Sequence, residues 1–243
     1  MGFRAHQTLA SKAGDLLSKF TVSTKVGYFP ASGAPAHSLD PDRLRAAVEE
    51  AVQDLGREPD LVFLHNPEHS LVRVPETSAP DSLVDACSVL VDATARGLCG
   101  SWGISSWDPR TLAGLSGGGL PRPDVLMVRA GLLVGIETLE AAELISRRWQ
   151  PSAVWGMSPF GGSTSEPLWE RFDPRVFIRD AQHCTPAQAA FRTAFALPAV
   201  DKVAVSTSSI DHLRELVGSL DYQVDQQTVD HYRRLLHDGR QTD

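Results

Sequence analysis

The chain is poor in cysteine, has no run of basic residues and has no long apolar stretch. Its 243 residues include three cysteines, Cys87, Cys99 and Cys184, an odd number without the paired spacing of a zinc site. A disulfide framework is therefore not expected, and free thiols in a reducing cytoplasm are. His183 and Cys184 are adjacent, but no third and fourth ligand stand at a usual spacing, so no metal is expected. The net charge of −7 comes without a clustered basic patch, which argues against a nucleic-acid partner. No stretch reaches the ~18–20 apolar residues that a membrane span needs, and residues 1–6 lack the apolar region of a signal peptide. These absences together point to a cytoplasmic protein. No Gly-x-Gly-x-x-Gly follows a strand, so a Rossmann domain is unsupported. No Gly-x-Ser-x-Gly elbow is present either.

What the chain does have is alternation. Hydrophobic residues make up 42%, enough for a sizeable core. Residues 3–19 read as a helix with Leu9, Ala13, Leu16 and Leu17 on one face, followed by a strand over 20–27 and a Pro/Gly/Ala/Ser-rich loop over 28–39. Asp40 caps a helix that starts at Pro41, runs inward through Leu44, Val48, Ala51, Val52 and Leu55, and stops at Gly56. A strand over 60–66 follows. Next come a helix from Pro80 to Gly97, with Leu83, Val84, Cys87, Leu90 and Val91 inward, and a strand over 101–107. A short helix from Pro109 ends at a break at Gly117, Gly118 and Gly119. The remainder reads as strand 125–134, helix 137–149, strand 153–160, an irregular segment 161–184, helix 186–197, strand 202–206 and helices 210–220 and 225–237. Strand and helix alternate six times, which implies an α/β fold with a parallel sheet and right-handed crossovers. Nothing resembles a linker, so residues 1–243 read as one domain.

Two strands end in chemistry. Leu61-Val62-Phe63-Leu64 runs into His65, and Pro67 closes the run. This reads as a buried parallel strand with a polar group at its carboxyl end, where an α/β barrel keeps its active site. The strand before it delivers Lys25 in the same way. His65 can give or take a proton near neutral pH, and burial would pull Lys25 below its usual pKa. Tyr28, one of three tyrosines, stands three residues past Lys25 and could act as an acid. His69 stands four residues past His65. Each also has a plain structural reading: a hydrogen-bonded core histidine, a snorkelling lysine, a packed aromatic. Trp107 fits a pocket wall or simple packing equally well. Ser206, Thr207, Ser208 and Ser209 precede a helix, where hydroxyls and free N–H groups can hold an anion or only cap the helix.

Taken in order, these stretches resemble the aldo-keto reductase superfamily. Ser23-Thr24-Lys25-Val26 resembles the strand carrying its catalytic lysine, and Leu61 to Glu68 the strand carrying its catalytic histidine. Gly103-Ile104-Ser105-Ser106 resembles the strand that binds the nicotinamide carboxamide, with Ser106 in place of the usual Asn. Ser158-Pro159-Phe160-Gly161-Gly162 resembles the loop along the cofactor, and Thr185 to Ala190 the helix leading to the last strand. Val205 to Leu213 resembles the segment that grips the adenosine phosphate, with Ser206 for the usual Gly and, just beyond it, Leu216 for a frequent Asn.

The resemblance implies a TIM (β/α)8-barrel of which about six β/α units are present. It implies NADPH or NADH as cofactor and a small-molecule carbonyl as substrate. Lys25 and His65 are the implied catalytic residues, with Tyr28 as substitute acid. Ser105, Ser106, Arg129 (near the usual Gln), Ser158, Phe160, Gly161, Ser206, Thr207, Ser208 and Arg214 are the implied cofactor residues. No Lys or Arg follows Ser206 directly to mark a 2′-phosphate. The family's first two strands, with its aspartate and tyrosine, are expected before Met1, and Gly2 takes the place of the glycine after that tyrosine. Six strands leave open edges, which a homodimer, the N-terminal helix or upstream residues would cover. Two other functions fit the same residues: a cofactor-independent dehydratase, lyase or isomerase using Lys25 and His65, and a non-catalytic binding subunit.

Overall fold

The computed structural model describes residues 5–32, 35–115, 119–163 and 167–240, without the side chains of Leu168 and Arg240. Gly2, the first two residues of the expected N-terminal helix, and Gly117 and Gly118 lie outside them. The six-stranded sheet follows chain order: β1 (Ser23–Val26), β4 (Leu61–His65), β5 (Trp102–Ser106), β6 (Val125–Arg129), β7 (Ala153–Met157) and β8 (Lys202–Ala204). A two-stranded antiparallel ladder, β2 (Tyr28–Phe29) with β3 (Ala36–His37), occupies the stretch expected to be loop. The chain divides into two compact units, residues 1–126 with 149–152 and residues 127–148 with 153–243.

In the first unit β1, β4 and β5 run parallel, in a register that pairs Lys25 with Phe63 and Phe63 with Gly103. Paired residues share a face, so Lys25, Phe63, His65, Gly103 and Ser105 line one side. The other side carries Val62, Leu64 and Ile104, all fully buried. Gly103 has no alternative, because a Cβ there would meet the Phe63 ring at 2.9 Å and the Val125 carbonyl.

Helix α2 (Pro41–Leu55) has the expected limits. The Asp40 carboxylate accepts the Arg43 N–H at 2.9 Å, Leu44, Val48, Ala51 and Leu55 are buried, and Gly56 ends the helix in the left-handed region. Helix α4 (Ala79–Ala95) turns Leu83, Ala86, Cys87 and Leu90 inward. Val91, expected inward, faces solvent because Val89 and Ala93 take the buried positions around it. The N-terminal helix also departs from expectation. Only α1 (Ala5–Ala13) is α-helical; Gly14, at φ 50, passes the chain into a 3-10 segment, Gly14–Lys19. Leu9 and Leu16 are exposed, and only Leu17 is buried. Helix α1 is held to α2 by Gln7 donating to Asp54 at 2.9 Å and to β1 by a 2.6 Å bond between His6 and Thr24. Those contacts are on the Thr24 side of β1, away from Lys25. Two short helices, α3 (Glu68–Leu71) and α5 (Arg110–Gly114), complete this unit.

In the second unit β7 and β8 run parallel, with Met157 opposite Ala204. The run 125–134, read as one strand, ends at Arg129. Gly131, at φ 130, turns the backbone where a Cβ would strike the Pro159 carbonyl, and Val134 closes the turn by donating to Gly131 at 3.2 Å. β7 likewise ends early, at Met157, because Ser158 turns the backbone at φ 57. Helix α6 (Ile136–Trp149) packs Leu139 into a core of Leu132, Val134, Phe177, Leu197 and Val229. The segment read as irregular contains α7 (Leu168–Arg171) and two 3-10 turns, Pro174–Phe177 and Ala181–His183. Phe177 belongs to the core, which is why the segment folds back rather than looping free. Helices α8 (Pro186–Thr193), α9 (Ile210–Gly218) and α10 (Gln226–Arg240) follow. On α10, Arg233 grips Glu143 with both guanidinium nitrogens, at 2.7 and 3.0 Å, and Tyr232 donates to the Leu132 carbonyl. No helix among the described residues is long and apolar enough to cross a membrane.

Candidate active site

In the first unit the chemistry gathers at the carboxyl end of β4. His65 is the last residue of that strand and the first that is not fully enclosed. Asn66, at φ 50, then turns the chain into α3. The β2–β3 ladder pairs Tyr28 with His37 and brings both onto His65. The Tyr28 ring meets the His65 ring edge-on at 4.8 Å and the His37 ring at 4.9 Å. Its hydroxyl is 3.1 Å from Nδ1 of His69 on α3. His37 bonds through Nε2 to the His65 backbone carbonyl at 2.7 Å and through Nδ1 to the Ser70 hydroxyl at 2.7 Å. A backbone carbonyl can only accept, so Nε2 of His37 carries the hydrogen and Nδ1 takes the one from Ser70.

The electrostatics follow from burial. Lost solvation, then the Lys25 charge, then His37 and His69, pull His65 down to about 4. Its imidazole is therefore neutral at pH 7, and no hydrogen bond to its ring is made by the described residues. Lys25 is exposed along the open side of β1, yet lost solvation lowers its ammonium from the usual lysine value. It makes no ion pair among the described residues. His37 is lowered by burial, partly offset by its bond to the His65 carbonyl.

Ser105, on the same sheet face as His65, is fully buried and its hydroxyl has no partner among the described residues. Ser106 alternates to the other face, beside Glu68. The buried Glu68 carboxylate accepts the N–H groups of Trp107 at 2.8 Å and Asp108 at 3.0 Å, which ties α3 to the end of β5. Burial raises its pKa, opposed by these bonds.

The second unit holds a separate cleft of about 690 Å³. Ser158, Phe160, Ser206 and Thr207 line it as expected, with His212, Glu215 and Leu216 of α9. Gly161 lies in the same loop, with φ 73 and Leu133 packed where its Cβ would be. Ser208 and Arg214 are not in the wall, and Arg214 is exposed and paired with Asp211 at 3.0 Å. Arg129 is half-buried at the end of β6. Glu215 is held at two points by α8: the Thr185 hydroxyl donates to its carboxylate at 2.6 Å and Gln188 to its carbonyl at 3.0 Å. Thr185 and Gln188 also form the capping box of α8, so one pair of side chains starts a helix and fixes a wall residue. Ser209 caps α9.

In the first unit the structure brings Tyr28, His65 and His69 together and adds His37 and Glu68, which sequence reasoning missed. In the second unit the cleft adds Glu215, also missed, and His212, which the sequence placed only within a longer stretch. His37 sits in a Pro/Ala/Ser-rich stretch with no periodicity to mark it. Glu68 carried a usable signal, since a carboxylate directly after a buried strand and Pro67 can be drawn inside.

Residues 7–164 match the family model described as Aldo/keto reductase family. No curated protein matches in sequence. Among solved structures, the holo form of an aldo-keto reductase from Bacillus halodurans superposes with a TM-score of 0.69 at 16% identity, covering 95% of this chain and 77% of that one. An aldo/keto reductase from Brucella melitensis gives 0.62 at 15% identity, over 96% and 79% of the two chains. An aldose reductase from Giardia lamblia gives 0.61 at 15%, over 97% and 78%. These likenesses show the fold: α/β of the TIM-barrel type, incomplete, with the six strands described above.

Proposed function

The chain belongs to the aldo/keto reductase family, and from that membership we propose that it reduces a carbonyl group on a small molecule with a nicotinamide dinucleotide. The observation that carries this reading is the end of β4. A neutral His65 imidazole with open ring nitrogens shares one sheet face with Lys25, which makes no ion pair among the described residues, and with the unpartnered hydroxyl of Ser105.

Each unit, taken by itself, offers groups that suit part of a nicotinamide dinucleotide. A buried hydroxyl without a partner is costly, and a carboxamide at Ser105 would satisfy it. The hydroxyls of Ser206 and Thr207, with Phe160 and His212, give the cleft of the second unit a wall suited to an adenosine moiety. When bound, the reduced dinucleotide supplies a hydride. Lys25 and His65 draw electron density to the carbonyl oxygen, Lys25 as a charge and His65 as a neutral N–H donor. Tyr28, packed against His65, supplies the proton that turns the oxygen into a hydroxyl.

The test is direct. The protein is titrated with NADH and NADPH by fluorescence, then assayed with para-nitrobenzaldehyde and a panel of aliphatic aldehydes. Binding of a dinucleotide and loss of its absorbance with an aldehyde are expected. Lys25→Ala and His65→Ala should each lower kcat by about 10² or more. Failure to bind either dinucleotide overturns the reading.

A further inference from the structure

Carbonyl reduction consumes one proton per turnover, and the rim around His65 restricts where it comes from. His65 is neutral and has none to spare at pH 7. His37 has both nitrogens committed, Nε2 to the His65 carbonyl and Nδ1 to Ser70. The Ser70 hydroxyl is spent on His37, whereas the Tyr28 hydroxyl stands against the His65 ring and its oxygen bonds to an exposed ring, His69.

We propose that Tyr28 and His69 form a proton relay, in which Tyr28 protonates the carbonyl oxygen and His69 reloads Tyr28 from solvent; this rests on the reductase reading above. The scaffold holds both ends of the relay. Tyr28 is fixed by its pairing with His37 and by the Ser38 N–H donated to the Gly27 carbonyl at 2.9 Å. His69 is fixed by its own N–H, which donates to the Asn66 carbonyl at 3.0 Å, and by the anchoring of α3 through Glu68. Both side chains therefore meet without β2 or α3 having to move.

The step balances. As the hydride bonds to the carbonyl carbon, the π pair moves to oxygen, and that oxygen takes the proton of the Tyr28 hydroxyl. The Tyr28 oxygen takes the Nδ1 proton of the His69 imidazolium in turn. His69 then regains a proton from water through its exposed ring. No reductant beyond the dinucleotide is required.

The experiment uses the full chain, para-nitrobenzaldehyde and the dinucleotide that binds. Tyr28→Phe keeps the ring contacts with His65 and His37 and removes only the hydroxyl. It should lower kcat by about 10² or more, with dinucleotide affinity and melting temperature unchanged. His69→Ala should lower kcat by roughly tenfold, and added imidazole should restore it, which a merely structural loss would not allow. Wild-type kcat in Tyr28→Phe overturns the relay and passes the proton to Lys25. A His69→Ala variant with wild-type kcat, or one that imidazole does not rescue, overturns the His69 half. A wild-type protein that reduces no aldehyde in the panel overturns the reductase reading and the relay with it.

Discussion

His37 donates its Nε2–H to the backbone carbonyl of His65 at 2.7 Å, through a gap that exists because residue 27 is a glycine. A Cβ on Gly27 would stand 3.1 Å from His37 Nε2 and 3.2 Å from the His65 oxygen, and its φ of 127 is one that other residues rarely adopt. Strain and crowding act together here. Gly27→Ala should therefore cost about 1–3 kcal/mol of stability, read from urea unfolding midpoints. It should also lower turnover, because it pushes His37 off the strand end that presents His65. Full stability in this variant would show that the His37 bond is not under the constraint described.

Acid should destabilise the fold through its two buried histidines, His65 and His37. His65 is held at about 4, below the ordinary histidine value, by burial and by Lys25, and His37 is shifted the same way. Between pH 6.5 and 4 the unfolded chain binds a proton at His65 that the folded chain refuses, and His37 acts in the same direction. Stability is then complete above pH ~6.5 and falls as the pH drops toward 4. With allowance for solvent screening, His65 should account for about 1 kcal/mol between pH 6.5 and 5. Melting curves across that range should show the loss in wild type and a smaller loss in His65→Gln. Parallel curves would contradict the assigned cause.

Much of this was legible in the sequence, for identifiable reasons. Helix α2 has its limits fixed by Asp40, Pro41 and Gly56, each a local signal that needs no tertiary context. The buried run before His65 and the Lys25 strand were readable as continuous apolar or β-branched stretches. The errors lie where tertiary contact overrides pattern. Leu9 and Leu16 suggested a buried face that the 3-10 segment after Gly14 turns outward. The run from Val125 to Val134 is apolar throughout, and only the approach of Gly131 to the Pro159 carbonyl shows that it folds back after Arg129. His37 was invisible because a two-residue ladder leaves almost no periodic trace. Arg214, implied as a cofactor residue by the resemblance alone, is exposed and salt-bridged to Asp211.

Glu68 should behave as a structural acceptor. One of its oxygens takes the N–H groups of both Trp107 and Asp108, so it holds α3, and with it His69, against the end of β5. Glu68→Ala removes both acceptor contacts and should cost about 2–4 kcal/mol. Glu68→Gln keeps an oxygen in place and should cost about 1 kcal/mol. Denaturant titrations of the two variants decide it. Equal losses would mean that the charge, rather than the acceptor oxygen, is what the fold requires.

The second unit allows a prediction about the cofactor. The described wall of the cleft contains no lysine or arginine, it presents the Glu215 carboxylate, and its ionisable nitrogen base is His212. Glu215 cannot easily withdraw, because Thr185 and Gln188 hold its carboxylate and its carbonyl. A carboxylate suits ribose hydroxyls, whereas a 2′-phosphate calls for a cation such as Arg. Arg214 does not provide one while it is paired with Asp211 outside the cleft. NADH should therefore bind at least as tightly as NADPH in a fluorescence titration at pH 7.5 and low salt. Arg214→Ala should change either affinity by no more than about twofold, the range of a surface pair. Glu215→Lys should improve NADPH binding by about tenfold, since it replaces a repulsive charge with an attractive one at a partly exposed site. Tighter binding of NADPH than NADH by the unaltered protein would show that the phosphate is met elsewhere, and Arg214→Ala would then identify whether that residue meets it.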